Sequence, residues 1–299
     1  MHDVIDGRRG RQSDHVDVPL GGHVCFGYRD EDEYGLVLAQ YAREGLDAGE
    51  RVVCFVPAER RDLVFEVLLA AGHDPRDLQA AGRLHLCDAE HVYGAEVPDF
   101  SPERLIASLG SIVDRSLAAG HLAVRVFGEP PDVLRVPEVA AQWPGYEFRV
   151  ELLAKSRPLR VLCAFDRSRV SREDAAIVAA LHGGLPLEGS SALRISATEE
   201  GGVALRGELD LSGVELIRRV VLESLPALRA PVIDLSELRF ADLAGSRTIQ
   251  RLAEAMSERF GSVRISNPPR TLERVWELVG YPVGRVEISV PERASEIQL

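Results

Sequence analysis

Two alternations of short apolar runs with amphipathic stretches, separated by one break, constrain this chain's fold more than any single motif. Between Gly22 and about His182 the runs at 23–28, 51–56, 84–87, 122–127 and 159–165 are expected to be strands. Helices fit between them, which is the rhythm of a sheet with helical crossovers. Tyr34, Val37, Leu38 and Tyr41 share one helical face, and Ser101-Pro102-Glu103 has the composition of a helix start ahead of Leu105, Leu109, Ile112 and Val113. Gly49, Gly72, Gly82 and Gly120 fall near the ends of such stretches, where a residue free of a side chain stops a helix at low cost.

The segment 184–191 breaks both periods with glycine, proline and serine and is expected to be a flexible linker. A second alternation begins at Ala192. Apolar stretches at 192–198 and 203–205 bracket Glu199-Glu200-Gly201-Gly202 and predict a hairpin, after which strands and helices continue to about Val290. The chain therefore reads as a disordered tail at 1–18, an α/β unit at 19–183, the linker, a smaller α/β unit at 192–290 and a tail at 291–299.

With 299 residues, two units can each bury a core. The formal net charge of -12 argues against non-specific binding to nucleic acid or anionic lipid, which needs a basic face. Cys25, Cys54, Cys87 and Cys163 lie far apart, three of them inside apolar runs, the usage of reduced buried thiols. The polar N-terminus lacks the apolar centre of a signal peptide, and no later run has the length of a membrane span, so a cytoplasmic protein is expected.

The most informative local pattern lies in the second unit. Val232-Ile233-Asp234-Leu235 reads as a buried strand, and Ile249, Leu252, Ala253 and Met256 form one helical stripe. In the turn between them Asp242 stands where a carboxylate caps a helix N-terminus, and Gly245 lets another backbone come close. A phosphate on such a turn would lie near the positive end of the helix dipole, with a large effect on a docked partner.

The run 234–245 resembles the signature of STAS-type anti-sigma-factor antagonists, roughly D-L-S-x-L-x-F-x-D-S-S-G, in which the serine before the glycine is phosphorylated by a partner kinase to switch binding off. Here that position is Ala244, and Leu243 departs as well. Arg206-Gly207-Glu208-Leu209-Asp210 is similar to the G-E-x-D turn of the same family, and Val263-Arg264-Ile265 and Asn267-Pro268-Pro269 extend the likeness towards the C-terminus. The resemblance implies a surface for an anti-sigma factor of the serine-kinase type, carried over by position to Asp210, Asp242, Ala244, Gly245 and Ser246. It also implies docking without the phosphate switch, unless Ser246 acts as a displaced acceptor.

The first unit resembles the MEDS domain, a KaiC- and RecA-like sensory module. The residues that carry this likeness are 23–28 with the acidic stretch after it, Arg125-Val126-Phe127-Gly128-Glu129, Tyr146-Glu147 and Cys163-Ala164-Phe165-Asp166. It implies a RecA-like sheet flanked by helices and a small-molecule ligand, with no cofactor named by the residues. The glycine-rich loop ending in lysine that a RecA-like ATPase needs is missing: the one lysine, Lys155, precedes Ser156-Arg157-Pro158.

Glu129 closes an apolar run at its carboxyl end, where open α/β sheets collect ligands. His23, Cys25, Tyr28, Arg125, Glu129 and Glu147 are the candidate ligand-binding residues, with Trp143 and Tyr146 as caps of the pocket or as core. The alternative is an Arg125–Glu147 ion pair with His23 in the core. His23 and Cys25 share a strand face, as do His85 and Cys87, so adjacent strands would gather four soft ligands; the spacing is not that of paired C-x-x-C, and no metal is assigned. No hydrolase or metalloprotease motif occurs, so an enzyme is not expected. The reading that results is a cytoplasmic signalling regulator. Its rivals are a ligand or Cys25-based redox sensor with the second unit as scaffold, and an enzyme using Glu129 and His23 as acid and base.

Overall fold

The computed structural model describes residues 16–89, 100–130, 136–184, 192–281 and 286–289. In the first unit the apolar runs become β1 (His23–Tyr28), β2 (Arg51–Val56), β3 (Leu84–Asp88), β4 (Val124–Gly128) and β5 (Leu159–Asp166), joined at one edge by the short β6 (Gly183–Gly184). Every pairing is parallel, and the order is β3-β2-β4-β5-β1-β6. Helices α1 (Glu31–Asp47), α2 (Arg61–Ala70), α3 (Pro75–Ala80), α4 (Pro102–Ala118), α5 (Pro137–Ser156) and α6 (Arg172–Leu181) alternate with the strands. Covered on both faces, the central strands are mainly apolar, with His23, Arg125 and Arg160 as the charged or titratable residues of β1, β4 and β5 ahead of Asp166. Helix α1 starts at Asp30, whose carboxylate accepts from Glu33 N at 2.8 Å, and its first turn carries three acidic residues that favour the dipole.

Three expectations change. The fourth strand begins at Val124 rather than at 122, since Leu122 is 73% exposed and lies outside the sheet. Gly184, assigned to the linker, pairs with Cys25 in β6; the rest of the linker, 185–191, lies outside the described residues. Val16 and Val18, assigned to the N-terminal tail, are buried in the core under α1, and Arg160 Nη1 donates to Val18 O at 2.7 Å. The other tail residues of both ends lie outside the described residues.

The second unit holds β7 (Leu193–Ala197), β8 (Val203–Leu209), α7 (Leu211–Ile217) continued by a π-helical turn (Arg218–Leu222), β9 (Val232–Asp234), β10 (Leu238–Ala241), α8 (Leu243–Phe260), β11 (Val263–Ser266), α9 (Arg270–Val279) and β12 (Val286–Ser289). The expected hairpin forms, with β7 antiparallel to β8. The remaining strands are parallel in the order β10-β8-β9-β11-β12. The turn expected before α8 contains a strand, β10, which lies against the end of β8.

Helix α5 belongs to both cores. Its Trp143, Tyr146, Val150 and Ala154 pack beneath the first sheet. Its Phe148 and Leu152 join Ile195, Leu205, Ile217 and Val221 of the second unit. Arg149 Nη2 donates to Glu223 O at 2.8 Å, Arg219 Nη2 to Ala140 O at 2.6 Å and Ser224 Oγ to Gly145 O at 3.2 Å. The two units are therefore in direct contact through α5, and α6 joins it, with Ala175 and Val178 in the first core and Leu181 in the second. Among the described residues no helix is long and apolar enough to cross a membrane.

Candidate functional sites

The corner where β8 and β10 end is built by two helix caps. Asp210 Oδ1 accepts from Ser212 N at 2.9 Å to start α7, and Asp242 Oδ1 accepts from Gly245 N at 2.7 Å to start α8. Asp242 N donates to Leu209 O at 3.1 Å, which ties the two helix starts together. Gly245 is needed for that approach: a Cβ there would stand 2.5 Å from Leu209 O. The Ser212 hydroxyl, with the backbone donors of the turn, holds the exposed Asp210 carboxyl below its usual range. Leu211, Phe240 and Leu243 flank the caps at 72%, 48% and 57% exposure.

Of the residues assigned to a partner, Asp210, Asp242 and Ala244 lie on this corner with at least part of their surface open. Ser246 does not. It is 2% exposed and its Oγ accepts from Trp276 Nε1 at 3.1 Å, because two residues beyond Ala244 the helix has turned it into the core. Gly245 is likewise buried and supports the corner through its backbone. The corner's exposed apolar residues were missed in sequence; their signal was three large side chains beside capping positions.

The six ligand candidates of the first unit separate into different places. Tyr28 and Glu129 meet at the carboxyl ends of β1 and β4, the Tyr28 hydroxyl donating to Glu129 Oε1 at 2.6 Å. Arg60, which sequence reasoning did not single out, lies over the rings of Tyr28 and Tyr34 and places Nε 3.7 Å from Glu129 Oε1. These residues, with Asp166 and Arg169, line an open cavity of about 280 Å³. Burial pushes the Glu129 carboxyl up despite the Tyr28 hydrogen bond, the Arg60 charge and the neighbouring Tyr34 hydroxyl.

Arg125 is elsewhere. It neither lines that cavity nor pairs with Glu147: its Nε donates to Glu50 at 2.7 Å, its Nη1 to Glu44 at 3.0 Å, and it lies over the Tyr41 ring, where adjoining elements neutralise a cation inside a strand. Cys25 is buried on β1 with Cys163 as its register neighbour on β5. Burial, then Glu147, pushes its thiol up to about 12, which opposes thiolate-based redox sensing. None of the four cysteines is in a disulfide. His85 and Cys87 sit on the edge strand β3, with three strands between them and β1, so the four soft ligands considered in sequence do not gather. Trp143 and Tyr146 are core residues beside Phe100.

His23 and Glu147 do meet, away from the open cavity. His23 Nε2 lies 3.2 Å from Glu147 Oε2, and His182 Nε2 lies 3.2 Å from the same oxygen. Burial pulls the His23 imidazole down to about 4, while the two imidazoles hold Glu147 at about 2 against its own burial. His23 opens the strand that Tyr28 closes, a separation of about 16 Å for five residues of extended chain. The proposed acid–base pair of Glu129 and His23 is therefore not assembled.

A sequence model of the MEDS family, described as the MEthanogen/methylotroph, DcmR Sensory domain, matches residues 22–183. A model described as Mlab, STAS domain matches residues 192–282. No curated protein matches the chain.

Proposed function

The chain belongs to the MEDS sensory family and carries a STAS domain behind it, and from that premise we propose that it is a cytoplasmic signalling regulator whose STAS corner docks on an anti-sigma factor of the serine-kinase type. The observation that carries the reading is the exposed apolar group Leu211, Phe240 and Leu243 set around the caps Asp210 and Asp242. Ala244, half-buried beside them, offers a methyl where a phosphate acceptor would need an oxygen. Docking is thus free of phosphate control by that chemistry.

Control comes instead from the sensory unit. A small ligand enters the cavity at Tyr28, Arg60 and Glu129, where the Glu129 carboxyl and the Arg60 guanidinium line it as polar handles. Helices α5 and α6 supply the route between the units, since side chains of both lie in both cores. No catalytic role is assigned to either unit.

The test is binding of the full-length chain to a serine-kinase anti-sigma factor by surface plasmon resonance. Leu243→Asp and Phe240→Asp are each expected to weaken binding at least tenfold. Incubation with ATP leaves the wild-type complex intact, whereas Ala244→Ser becomes phosphorylated and is released. Failure of the wild-type chain to bind under conditions that retain a serine-bearing antagonist overturns the proposal.

A further inference from the structure

Four side chains from four separate elements converge in the first unit: His23 from β1, Cys163 from β5, Glu147 from α5 and His182 from the residue that ends α6. All four are buried, and one ligand atom of each lies within 4.8 Å of all the others. We propose that they form a metal site for a thiophilic divalent ion, zinc by its donor set.

Three of the six separations in the group are close to those of a coordination shell, and the other three are no longer than 4.8 Å. A tetrahedral zinc ion bound by nitrogen, oxygen and sulfur at ordinary bond lengths separates its ligand atoms by about 3.3–3.8 Å. His23 Nε2 is 3.3 Å from Cys163 Sγ, and both imidazole Nε2 atoms are 3.2 Å from Glu147 Oε2. Despite these distances Glu147 Oε2 and His182 Nε2 make no aligned hydrogen bond. An ordinary buried ion pair would direct a ring N–H at the carboxylate, and an unsatisfied buried carboxylate oxygen is costly without some cation to answer it.

His182 carries a second sign. Its Nδ1 lies 2.9 Å from Val178 O, and a carbonyl only accepts, so Nδ1 donates there and Nε2 is the nitrogen that faces the group. A backbone carbonyl behind the far nitrogen is the arrangement that orients metal-binding histidines. Two imidazoles, one thiolate and one carboxylate suit zinc better than magnesium or calcium, and four protein ligands leave no open position, which is the form of a structural rather than a catalytic ion. A small cavity of about 20 Å³ borders Glu147 and Cys163 between Val126, Trp143 and Val161, room for about one water molecule.

Full-length protein stripped by a chelator and equilibrated with zinc is expected to retain one ion per chain by inductively coupled plasma mass spectrometry. Cobalt(II) in its place is expected to show tetrahedral d–d absorption together with a thiolate-to-cobalt charge-transfer band. Cys163→Ser abolishes that band, and His182→Gln lowers zinc affinity at least tenfold, whereas Cys87→Ser on the edge strand alters neither. Retention of far less than one zinc per chain, or a cobalt spectrum without the thiolate band, overturns the proposal on the wild-type protein alone, whatever the folding of the variants. A thiolate band that persists in Cys163→Ser overturns it as well.

Discussion

Glu151 is the residue whose surroundings contradict its chemistry most. It lies on α5 against β7, 9% exposed. Burial pushes its carboxyl up to about 7, partly offset by a backbone hydrogen bond with Ala197 and by Lys155, His182 and Arg206. An acid with a raised folded value keeps its proton between pH 4.5 and 7 while the unfolded chain has lost it, so stability falls as pH rises through that window and the full cost applies above it. Glu151→Gln is expected to stabilise the protein at pH 8 by up to about 3 kcal/mol and to leave it unchanged near pH 4. His23 runs the other way, its lowered value removing stability as pH falls from 6.5 towards 4, so the two slopes oppose each other in the wild type. The difference between wild type and variant in urea unfolding across pH 4 to 8 isolates Glu151; parallel curves would show that the acid does not ionise there. At the docking corner, Gly245→Ala drives a Cβ onto Leu209 O and is expected to cost about 1–3 kcal/mol while weakening partner binding. Ser246→Ala strands the Trp276 N–H and costs about 1–3 kcal/mol with partner binding unchanged. Thermal unfolding and surface plasmon resonance on both variants separate support of the corner from support of the core.

At the scale of elements, the strands were legible because a parallel strand buried on both faces has to be mainly apolar, and His23–Tyr28 and Arg51–Val56 match their runs residue for residue. Caps were legible too, since Ser101 and Asp242 accept the backbone bonds their positions imply. Strand order left no local trace. It separated His85 and Cys87 from β1 and sent Arg125 to Glu50 and Glu44, so the single expected crevice became an open cavity and a buried cluster. Helix α5 was hidden for another reason: Glu147 and Glu151 suggest a solvated side, yet both of its sides are covered. Gly145 lies within that double contact, where a Cβ would stand 3.4 Å from Arg219 O and 3.5 Å from Ser224 Oγ. Gly145→Ala is therefore expected to be neutral or stabilising by up to about 1 kcal/mol, since the Cβ meets ordinary contacts and a mid-helix glycine is removed, and Gly145→Leu to cost about 2–3 kcal/mol from overpacking. Thermal unfolding of both variants checks the gradation, and equal midpoints would mean that the contact gives way.

At the scale of the whole molecule, the shared helix has a consequence for cooperativity. A domain that loses α5 loses part of its own core, so neither unit opens without exposing apolar surface of the other. The chain has two tryptophans, and they divide between the units: Trp143 on α5 faces the first sheet, and Trp276 on α9 lies in the second core. Single-tryptophan variants Trp143→Phe and Trp276→Phe thus report the second and first units separately by fluorescence. Each variant loses some stability, and within each variant the fluorescence midpoint in urea is expected to coincide with the midpoint by far-ultraviolet circular dichroism, which follows both units. Agreement between the two probes marks one cooperative body, in which an event in the sensory unit shifts the free energy of the STAS corner. Separated midpoints would mean that the α5 contact contributes little, and a ligand in the first unit would then have no energetic path to the second.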